Sequence, residues 1–359
     1  MNECKKVVFL GDTIVGPEPL GIQRFTVEIL KELDKLELPY KVEVLIPNID
    51  NCSLKLKNIK IIRYGKRGRT GFLWRQFDFP HYINKEKAIS VDFTLGLTFH
   101  GSDVVCLHDC IHENYPDDFI GLKAKIKRLS YLIRAKRNVK KARKIITVSE
   151  TSKKELVKFY RIPENKIAVI YNAWQHIERI EPDDSILKKF NIHAGEFFFS
   201  LGSQLPHKNF KWILEAAKQN PKETFVVTGS NHVRKNNDHY EGTNNIIFTG
   251  FLSDGEIKSL MSNCKCFIFP SLYEGFGIPP LEAMSVGRKC IISNMRSLPE
   301  VYGNSVWYID PYEYNDINIE RIMTENIDDN SIVLRKFSWR SSAQKLNEVL
   351  EKFAKGETI

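Results

Sequence analysis

Short apolar segments alternate with longer amphipathic segments along both halves of this chain, and this alternation constrains the fold most strongly. The expected strands of the first half are Val7–Leu10, Tyr40–Ile46, Val104–His108, Lys144–Val148 and Ile167–Tyr171. Those of the second half are Phe197–Leu201, Phe225–Thr228, Ile246–Thr249, Cys266–Phe269 and Lys289–Ile292. Repetition of strand and helix predicts parallel sheets covered by helices on both faces. Because 359 residues are too many for one ordinary core, we expect two doubly wound α/β domains.

A polar segment separates the two repeats and is the expected linker. It spans residues 175–188 and contains the run Pro182-Asp183-Asp184-Ser185, which is typical of loops. We therefore expect an N-terminal domain at residues 1–174 and a C-terminal domain at residues 175–337. A last segment, Ser338–Lys355, is expected to form a helix.

The composition is typical of a folded protein of the cytoplasm. Hydrophobic residues make up 42% of the chain and charged residues 27%, which excludes a disordered class. No apolar run approaches the roughly 18 residues that span a bilayer. The first six residues, Met-Asn-Glu-Cys-Lys-Lys, are not followed by the apolar core of a signal peptide. Seven cysteines without a C-x-x-C pair indicate reduced thiols, so we expect a cytoplasmic protein.

Four potential metal ligands alternate in the first half, namely Cys106, His108, Cys110 and His112. Alternation along a strand places all four on one face, whereas closed zinc sites usually bring paired ligands from two separate segments. We therefore interpret the pattern as a strand that faces the core or a cleft, and we expect no metal site.

Positive charge is concentrated in the first half. Residues 1–170 contain 32 Lys and Arg against 20 Asp and Glu, while the remainder contains 21 against 24. Residues 123–144 include eleven basic residues and no acidic ones, interleaved at helical spacing with Leu122, Ile126, Leu129 and Ile133. This pattern predicts a basic amphipathic helix or helix pair. Two compatible interpretations are contact with an anionic membrane, and an apolar stripe packed on the sheet with its cations in solvent.

Two glutamates, Glu274 and Glu282, follow the buried run Cys266–Phe269. The Pro279-Pro280 pair is expected at the start of a helix, which places Glu274 in the preceding loop and Glu282 in the first helical turn. Ligands of open α/β sheets bind outside the carboxyl ends of the strands, where these glutamates are expected.

The segment between the glutamates favours close approach of an anionic ligand. Gly275 and Gly277 lack side chains, so a ligand can reach backbone N–H groups, and a helix start favours an anion. Carboxylates on either side can accept hydroxyl hydrogen bonds, which together fits a nucleotide sugar. Acidic residues also occur in first helical turns simply because they suit the helix dipole, so the spacing alone leaves both interpretations open.

The full string Glu-Gly-Phe-Gly-Ile-Pro-Pro-Leu-Glu-Ala-Met at residues 274–284 resembles the signature of family 4 glycosyltransferases. Members of that family are retaining, metal-independent enzymes with the GT-B fold, in which two Rossmann-like domains face each other across a cleft. The resemblance covers nearly the whole chain. It implies that the final helix at 338–355 packs back onto the N-terminal domain, and that the reaction needs no cofactor or metal.

The resemblance assigns two positions in the N-terminal domain. The stretch Gly16–Arg24 is similar to the family's glycine loop, in which Gly21 matches best and lets the backbone approach the diphosphate or the reacting sugar. An ordinary strand-to-helix turn is the other interpretation of this loop. The stretch Val104–Asp109 resembles the family's strand that ends in His-Asp, which implies that His108 touches the sugar hydroxyls or stabilises charge at the reacting carbon.

In the C-terminal domain, Ser200–Asn209 resembles the family's phosphate loop, and Lys208 matches the lysine that binds the diphosphate. The sequence departs from the family pattern at Ser203 and His207, where arginine is common. By resemblance, Glu282 holds the ribose, while Glu274 and the nearby amides hold the sugar. The implied catalytic residues are His108, Glu274 and Lys208, and the implied donor-binding residues are Gly21, Ser203, Lys208, Glu274, Gly275, Phe276, Gly277, Glu282, Ser297 and Leu298.

The resemblance therefore implies a retaining enzyme that moves a hexose from a nucleoside-diphosphate sugar to a hydroxyl of a glycan or a lipid-linked acceptor. The basic N-terminal half suits an acceptor in an anionic membrane, so we expect a peripheral position at the inner face of the plasma membrane and a role in bacterial O-antigen or capsule synthesis. Alternatives are a nucleotide-sugar epimerase, a phosphorylase, and a non-catalytic module that binds membrane or nucleic acid. Nucleic acid is disfavoured because the cations are not interleaved with stacking aromatic residues.

Overall fold

The computed structural model describes residues 5–15, 21–49, 52, 54–94, 96–202, 205–229 and 243–356. These residues divide into two compact units. Unit 1 contains the described residues up to 172 and those from 339 onward, and unit 2 contains those from 173 to 338. The predicted boundary after residue 174 lies two residues beyond this division.

Unit 1 is built on a seven-stranded sheet in which every neighbouring pair is parallel. Its strands are β1 (Lys6–Leu10), β2 (Lys41–Pro47), β3 (Lys60–Tyr64), β4 (Ile89–Asp92), β5 (Val104–Cys106), β6 (Lys144–Thr147) and β7 (Ile167–Val169). They lie in the order β3-β2-β1-β4-β5-β6-β7. Strand β1 is apolar and buried from Val7 to Leu10, as expected for a sheet covered on both faces.

The helices of unit 1 that precede unit 2 fill the connections between these strands. They are α1 (Ile22–Leu33), α2 (Gly71–Leu73), α3 (Phe79–Glu86), α4 (Ile111–Asn114), α5 (Leu122–Lys141) and α6 (Glu150–Tyr160), with a π-helical segment at Trp74–Asp78 and 3₁₀ turns at Pro116–Asp118 and Glu164–Lys166. The packed face of α5 carries Tyr131, Ala135 and Val139, which lie in one hydrophobic cluster with strands β5 and β6. The expectation that the Leu122–Ile133 stripe packs on the sheet is therefore wrong, because that stripe is exposed.

Unit 2 repeats the architecture with a six-stranded parallel sheet. Its strands are β8 (Phe197–Ser200), β9 (Thr224–Val227), β10 (Ile246–Phe248), β11 (Cys266–Phe269), β12 (Cys290–Ser293) and β13 (Trp307–Ile309), in the order β10-β9-β8-β11-β12-β13. Its helices are α7 (Ser185–Lys189), α8 (Phe210–Gln219), α9 (Asp254–Asn263), α10 (Ile278–Ser285), α11 (Leu298–Tyr302), α12 (Ile319–Ile322) and α13 (Asn330–Leu334), with 3₁₀ turns at Gln175–Arg179 and Pro206–Lys208.

The final helix, α14 (Trp339–Lys355), belongs to unit 1. The Trp339 ring lies 6.1 Å from the Phe25 ring of α1, centroid to centroid. The Tyr40 hydroxyl donates to Asn347 Oδ1 at 2.5 Å. Leu346, Leu350 and other apolar residues of its inner face are buried, so α14 completes one side of the unit 1 core.

The predicted class, α/β with two doubly wound Rossmann-like domains, is confirmed. Two local expectations are wrong. Strand β5 ends at Cys106, so His108 lies in the following loop and the four alternating Cys and His residues are not on one strand face. Residues 175–188 do not form a free linker, because Lys258 donates to the Ile180 carbonyl at 2.7 Å and Ser259 donates to Asp184 at 2.6 Å within unit 2.

Candidate functional site

The strand order of unit 2 reverses between β8 and β11, which are neighbours in the sheet. The strands that follow β8 in the chain lie on one side of it, while β12 and β13 lie on the other side of β11. The connections after β8 and β11 therefore diverge and leave space at the carboxyl ends of these two strands. Lys208 follows β8 and Glu274 follows β11, so both predicted catalytic residues of unit 2 flank this point.

Hydrogen bonds fix the loop after β8. Asn209 has a left-handed backbone, with φ of 54°, and ends the short 3₁₀ turn that carries Lys208. Its side-chain amide donates to the Pro270 carbonyl at 3.2 Å and to the Pro311 carbonyl at 2.8 Å. The Leu272 amide donates to the His207 carbonyl at 2.7 Å. The loops after β8 and β11 are thus bonded to each other, which sets the position of Lys208 relative to Glu274.

The loop after β11 turns sharply at Gly277 before α10 begins. Gly277 has φ of 82°, and a Cβ at this position would lie 2.6 Å from Leu298 Cδ2. The Tyr302 hydroxyl donates to the Gly277 carbonyl, and the Ser297 hydroxyl donates to the Glu274 carbonyl at 2.8 Å. Only glycine combines this backbone conformation with this packing, so the turn defines where Glu274 lies.

Lys208 and Glu274 form an ion pair, with 2.6 Å between Lys208 Nζ and Glu274 Oε1. The Glu274 side chain is 13% exposed and that of Lys208 is 27% exposed, so the pair is partly shielded from water. Lys208 Nζ also lies 5.6 Å from the centre of the Phe269 ring. Each charge therefore holds the other in place, and an anionic ligand can replace the carboxylate as partner of the ammonium group.

Glu282 forms a second close contact, which the sequence analysis missed. His176 Nε2 lies 2.6 Å from Glu282 Oε1. Because a carboxylate only accepts hydrogen bonds, Nε2 carries the proton and donates to Glu282. Glu282 is the fifth residue of α10, so the prediction of a first-turn position is wrong. The helix begins at Ile278, ahead of the prolines, and this shifts Glu282 into the second turn.

The other described residues of unit 2 that were predicted to bind the donor lie around the same turn and are buried. The Phe276 ring is buried and lies edge-on to Phe337 at 5.2 Å. Ser297 and Leu298 are also buried, and the Leu298 amide donates to the Met295 carbonyl at 3.1 Å. Ser203 lies outside the described residues. These contacts show how the turn is supported, and the donor-binding roles, including that of Gly275, remain predictions.

In unit 1, Gly21 lies in the connection after β1 and His108 lies in the connection after β5. Gly21 precedes α1 with φ of 46°, and a Cβ there would meet nothing within 4 Å. His108 is buried, with its ring edge-on to Phe25 at 5.1 Å. Burial lowers the pKa of His108 to about 4, and a hydrogen bond with the Phe93 backbone opposes this effect. His108 is therefore a neutral imidazole near pH 7.

An acidic pair near the same sheet edge was not anticipated from the sequence. Arg75 Nε donates to Asp12 Oδ2 at 2.8 Å. Asp92 ends β4, is wholly buried, and has a pKa that burial raises to about 6. The order of unit 1 reverses between β1 and β4, so Asp12 and Asp92 flank its switch point as Lys208 and Glu274 do in unit 2. The position of Asp12 after the expected strand Val7–Leu10 was the available signal for that residue. Asp92 gave no such signal, because β4 was not predicted.

The buried polar groups of unit 1 include atoms without a protein partner in the described residues. His108 Nε2 and Asp92 Oδ2 are two such atoms. Across the same described part of the chain, no group of three or more His, Cys, Asp or Glu side chains is arranged to hold a metal ion. Independence from metal and cofactor remains a prediction.

Comparison with known proteins identifies two matching family models. Residues 183–351 match the model described as "Glycosyl transferases group 1", and residues 20–174 match "Glycosyltransferase Family 4".

Two relatives differ in how much of their length is shared. The chain is 30% identical to the serotype-specific mannosyltransferase WbdA of Escherichia coli over 55% of this chain, which corresponds to only 27% of WbdA. It is 25% identical to the O-antigen chain mannosyltransferase B of Escherichia coli over 94% of this chain and 93% of that protein.

A solved structure of Anabaena HepE in complex with UDP and glucose is similar in fold. The TM-score is 0.67 at 18% sequence identity, over 97% of this chain and 100% of that chain. At this identity the likeness concerns the fold alone.

The turn at Gly277 gives a prediction with a matched control. Gly277→Ala adds a methyl group against Leu298 and strains a left-handed backbone, whereas Gly287→Ala has a similar φ, 83°, with nothing within 4 Å. We expect Gly277→Ala to lower the free energy of unfolding of unit 2 by about 1–3 kcal/mol more than Gly287→Ala. Urea unfolding of both variants checks this, and equal losses would contradict the steric account.

Burial of His108 predicts a pH dependence of stability. Its pKa of about 4 lies below the ordinary value near 6.5, so the unfolded chain binds more protons between these values. The stability gained by keeping His108 neutral is complete above pH 6.5 and is lost as the pH falls towards 4. At pH 5 the loss lowers the free energy of unfolding by about 1–3 kcal/mol. The raised pKa of Asp92 acts in the opposite direction in the acidic range.

The test therefore compares the acid-induced loss of stability in two proteins. Urea unfolding at pH 7.5 and pH 5 is compared for the natural chain and His108→Asn, which cannot titrate there. We expect the acid-induced loss to be smaller in His108→Asn. Direct NMR titration of the His108 ring provides a second test, and a midpoint near 6.5 would contradict the effect of burial.

Proposed function

The chain belongs to the group 1 glycosyltransferases of the GT-B fold, and we propose that it transfers a hexose from a nucleoside-diphosphate sugar to an acceptor hydroxyl with retention of configuration. The observation that carries this proposal is the Lys208–Glu274 pair at the switch point of the unit 2 sheet. A cation for the diphosphate and a carboxylate for the sugar hydroxyls lie side by side there.

The ion pair suggests how the donor is received. The diphosphate brings more negative charge than one carboxylate, so Lys208 turns from Glu274 to the phosphate oxygens when the donor binds. This exchange leaves the Glu274 carboxylate available to accept hydrogen bonds from the sugar. Both side chains need only a small movement, because the bonded loops after β8 and β11 already hold them at the same place.

The reaction requires stabilisation of the leaving group more than acid or base chemistry. The bond between the anomeric carbon and the diphosphate oxygen breaks, and its electron pair stays with the diphosphate. A new bond forms from the anomeric carbon to the acceptor oxygen, whose proton passes to the departing diphosphate oxygen. Lys208 neutralises the developing charge, and the position of Glu274 orients the sugar for attack. We propose that no divalent metal ion takes part.

Glu282 is proposed to bind the ribose hydroxyls of the donor. Its Oε1 accepts from His176, and a carboxylate has further lone pairs for a second and third donor. His176 is buried and belongs to the 3₁₀ turn at Gln175–Arg179, whose neighbour Gln175 donates to the Phe337 carbonyl at 3.0 Å. His176 is therefore a positioning residue, which holds one carboxylate oxygen and so directs the other.

The similar proteins support a pathway in surface polysaccharide synthesis. The similar Escherichia coli proteins are named mannosyltransferases, one of them for the O-antigen chain. We propose a hexose donor, a glycan or lipid-linked acceptor, and a position at the inner face of the plasma membrane. The fold of HepE, which binds UDP and glucose, makes UDP one natural probe beside GDP.

The two glutamates are predicted to act on different kinetic parameters. Glu274→Gln removes a charge at the sugar and is expected to lower kcat by about 100-fold or more. Glu282→Gln weakens ribose binding and is expected to raise the KM for the donor by about 10- to 100-fold. The measurement is release of nucleoside diphosphate in the presence of a lipid extract as acceptor, with product configuration read by NMR.

Glu320→Gln is the matched control, because Glu320 is an exposed glutamate of α12 in the same unit. Its activity is expected to equal that of the natural chain. Unaltered turnover in Glu274→Gln would contradict the proposed function. Isomerisation of the donor without transfer would indicate an epimerase, and a requirement for inorganic phosphate would indicate a phosphorylase.

The positioning role of His176 predicts a split between kinetic parameters. His176→Leu removes the hydrogen bond to Glu282 and is expected to raise the donor KM about 5- to 10-fold, while kcat changes less than about twofold. His176→Gln retains a donor group and is expected to restore most of the affinity. In a Glu282→Gln background, His176→Leu should add little, since the two act through one contact. Additive losses would contradict this coupling.

A further inference from the structure

An apolar stripe on α5 is exposed along three turns of the helix. Leu122, Ile126, Leu129 and Ile133 are 75%, 57%, 59% and 53% exposed. Their spacing of four, three and four residues places them on one face. The opposite face carries Tyr131 and other residues of the unit 1 core, so α5 is held by that face and presents the stripe outward.

The residues of α5 beside this stripe are rich in cations. Helix α5 contains nine Lys and Arg and no Asp or Glu. Two of its arginines are engaged within unit 1, because Arg128 donates to the His112 carbonyl at 2.6 Å and Arg134 lies 5.6 Å from the Phe99 ring centre. The lysines are exposed, among them Lys123, Lys125, Lys127, Lys136 and Lys140. The outer face of α5 is thus apolar at its centre and positive at its margins.

A second element of unit 1 exposes large apolar side chains. Phe72, Leu73 and Phe77 are 50%, 56% and 60% exposed, and they lie on α2 and the π-helical segment at Trp74–Asp78. The other side of this segment is anchored, since the buried Trp74 ring donates to the Tyr64 carbonyl at 2.7 Å. The segment is therefore fixed to unit 1 while its three apolar side chains face outward.

The loop at residues 97–100 connects these two elements. The Phe99 ring lies 6.2 Å from the Phe72 ring, and Arg134 of α5 lies over the same Phe99 ring. The Phe99 amide donates to Gln76 Oε1 at 2.6 Å, and Asn138 of α5 donates to the Thr98 carbonyl at 2.7 Å. The loop is bonded on one side to the π-helical segment and on the other to α5.

We propose that α5 and the 71–78 segment form one membrane-docking surface, which inserts its apolar side chains between the headgroups of an anionic bilayer. Charge complementarity selects this occupant, because a rim of lysines with no acidic residue on α5 fits phosphate headgroups on every side of the stripe. This inference rests on the proposed function and adds that the acceptor is held in the membrane. None of the described helices is long and apolar enough to cross a membrane.

Insertion of apolar side chains into the bilayer and electrostatic attraction alone predict different salt dependence of vesicle binding. Salt screens the lysines over about 10 Å at 0.1 M and less at higher concentration, whereas burial of apolar groups does not depend on charge. Binding to anionic vesicles is therefore expected to weaken with salt yet remain measurable at about 0.5 M NaCl. A purely electrostatic contact would disappear there.

Flotation of the full chain with lipid vesicles tests the proposal without any donor sugar. Vesicles of phosphatidylcholine with about 30% phosphatidylglycerol are compared with phosphatidylcholine alone. We expect Ile126→Ser with Leu129→Ser, and separately Phe72→Ser with Phe77→Ser, to lower the bound fraction on anionic vesicles by about tenfold or more. Phe251→Ser, which removes a 98% exposed ring from unit 2, is the matched control and is expected to change binding less than twofold.

The outcomes separate this inference from the proposed function. Equal flotation of the double variants and the natural chain would overturn the surface, as would loss of all binding at high salt. Concentration-dependent dimerisation that the same variants abolish, without vesicle binding, would also overturn it and assign the face to a second copy. Donor binding by thermal shift is expected to persist in the double variants, whereas Glu282→Gln should lose it and still float.

Discussion

Burial of a parallel sheet on both faces leaves polar side chains little room except at the strand ends, and this constraint organises both units. Each sheet is wound outward from a central pair of strands, β1 with β4 in unit 1 and β8 with β11 in unit 2. Asp12, Lys208 and Glu274 all lie in the connections that follow these central strands. The buried strands thus supply a rigid base, and the residues beyond their carboxyl ends are those for which we propose roles in catalysis.

Three carboxylates at these edges each have a close partner, which makes a charged site compatible with a folded core. Lys208 faces Glu274, His176 faces Glu282, and Arg75 faces Asp12. A partly buried carboxylate without such a partner would lose much solvation, so pairing limits the cost of keeping the site charged before a ligand arrives. The same pairing keeps the side chains ordered, because each partner restricts the rotamers of its carboxylate.

The sequence allowed the class of fold and most buried strands to be predicted, since apolar runs between turn residues have few alternatives in a chain of this kind. Strands β3 and β13 were missed because their residues are only partly apolar or very short. The contact of His176 with Glu282 joins positions 106 residues apart, which no local pattern indicates. On α5 the more apolar stripe was the natural choice for the packed face, but Tyr131, Ala135 and Asn138 pack instead. The sequence predicted that the loop at residues 275–277 follows a buried strand. It did not predict which side chains of the loop are buried, because burial depends on tertiary packing.

The return of α14 to unit 1 has a consequence for the order in which this protein can become complete. The chain leaves unit 1 after residue 172 and re-enters it at residue 339, so unit 2 is inserted within unit 1 in sequence terms. On the ribosome, the side of unit 1 around Phe25 and Tyr40 must wait for Trp339 and Asn347, although its strands were made much earlier. Unit 2 can close its own core during that interval. Until α14 has been synthesised, unit 1 is incomplete, although most of it was made before unit 2.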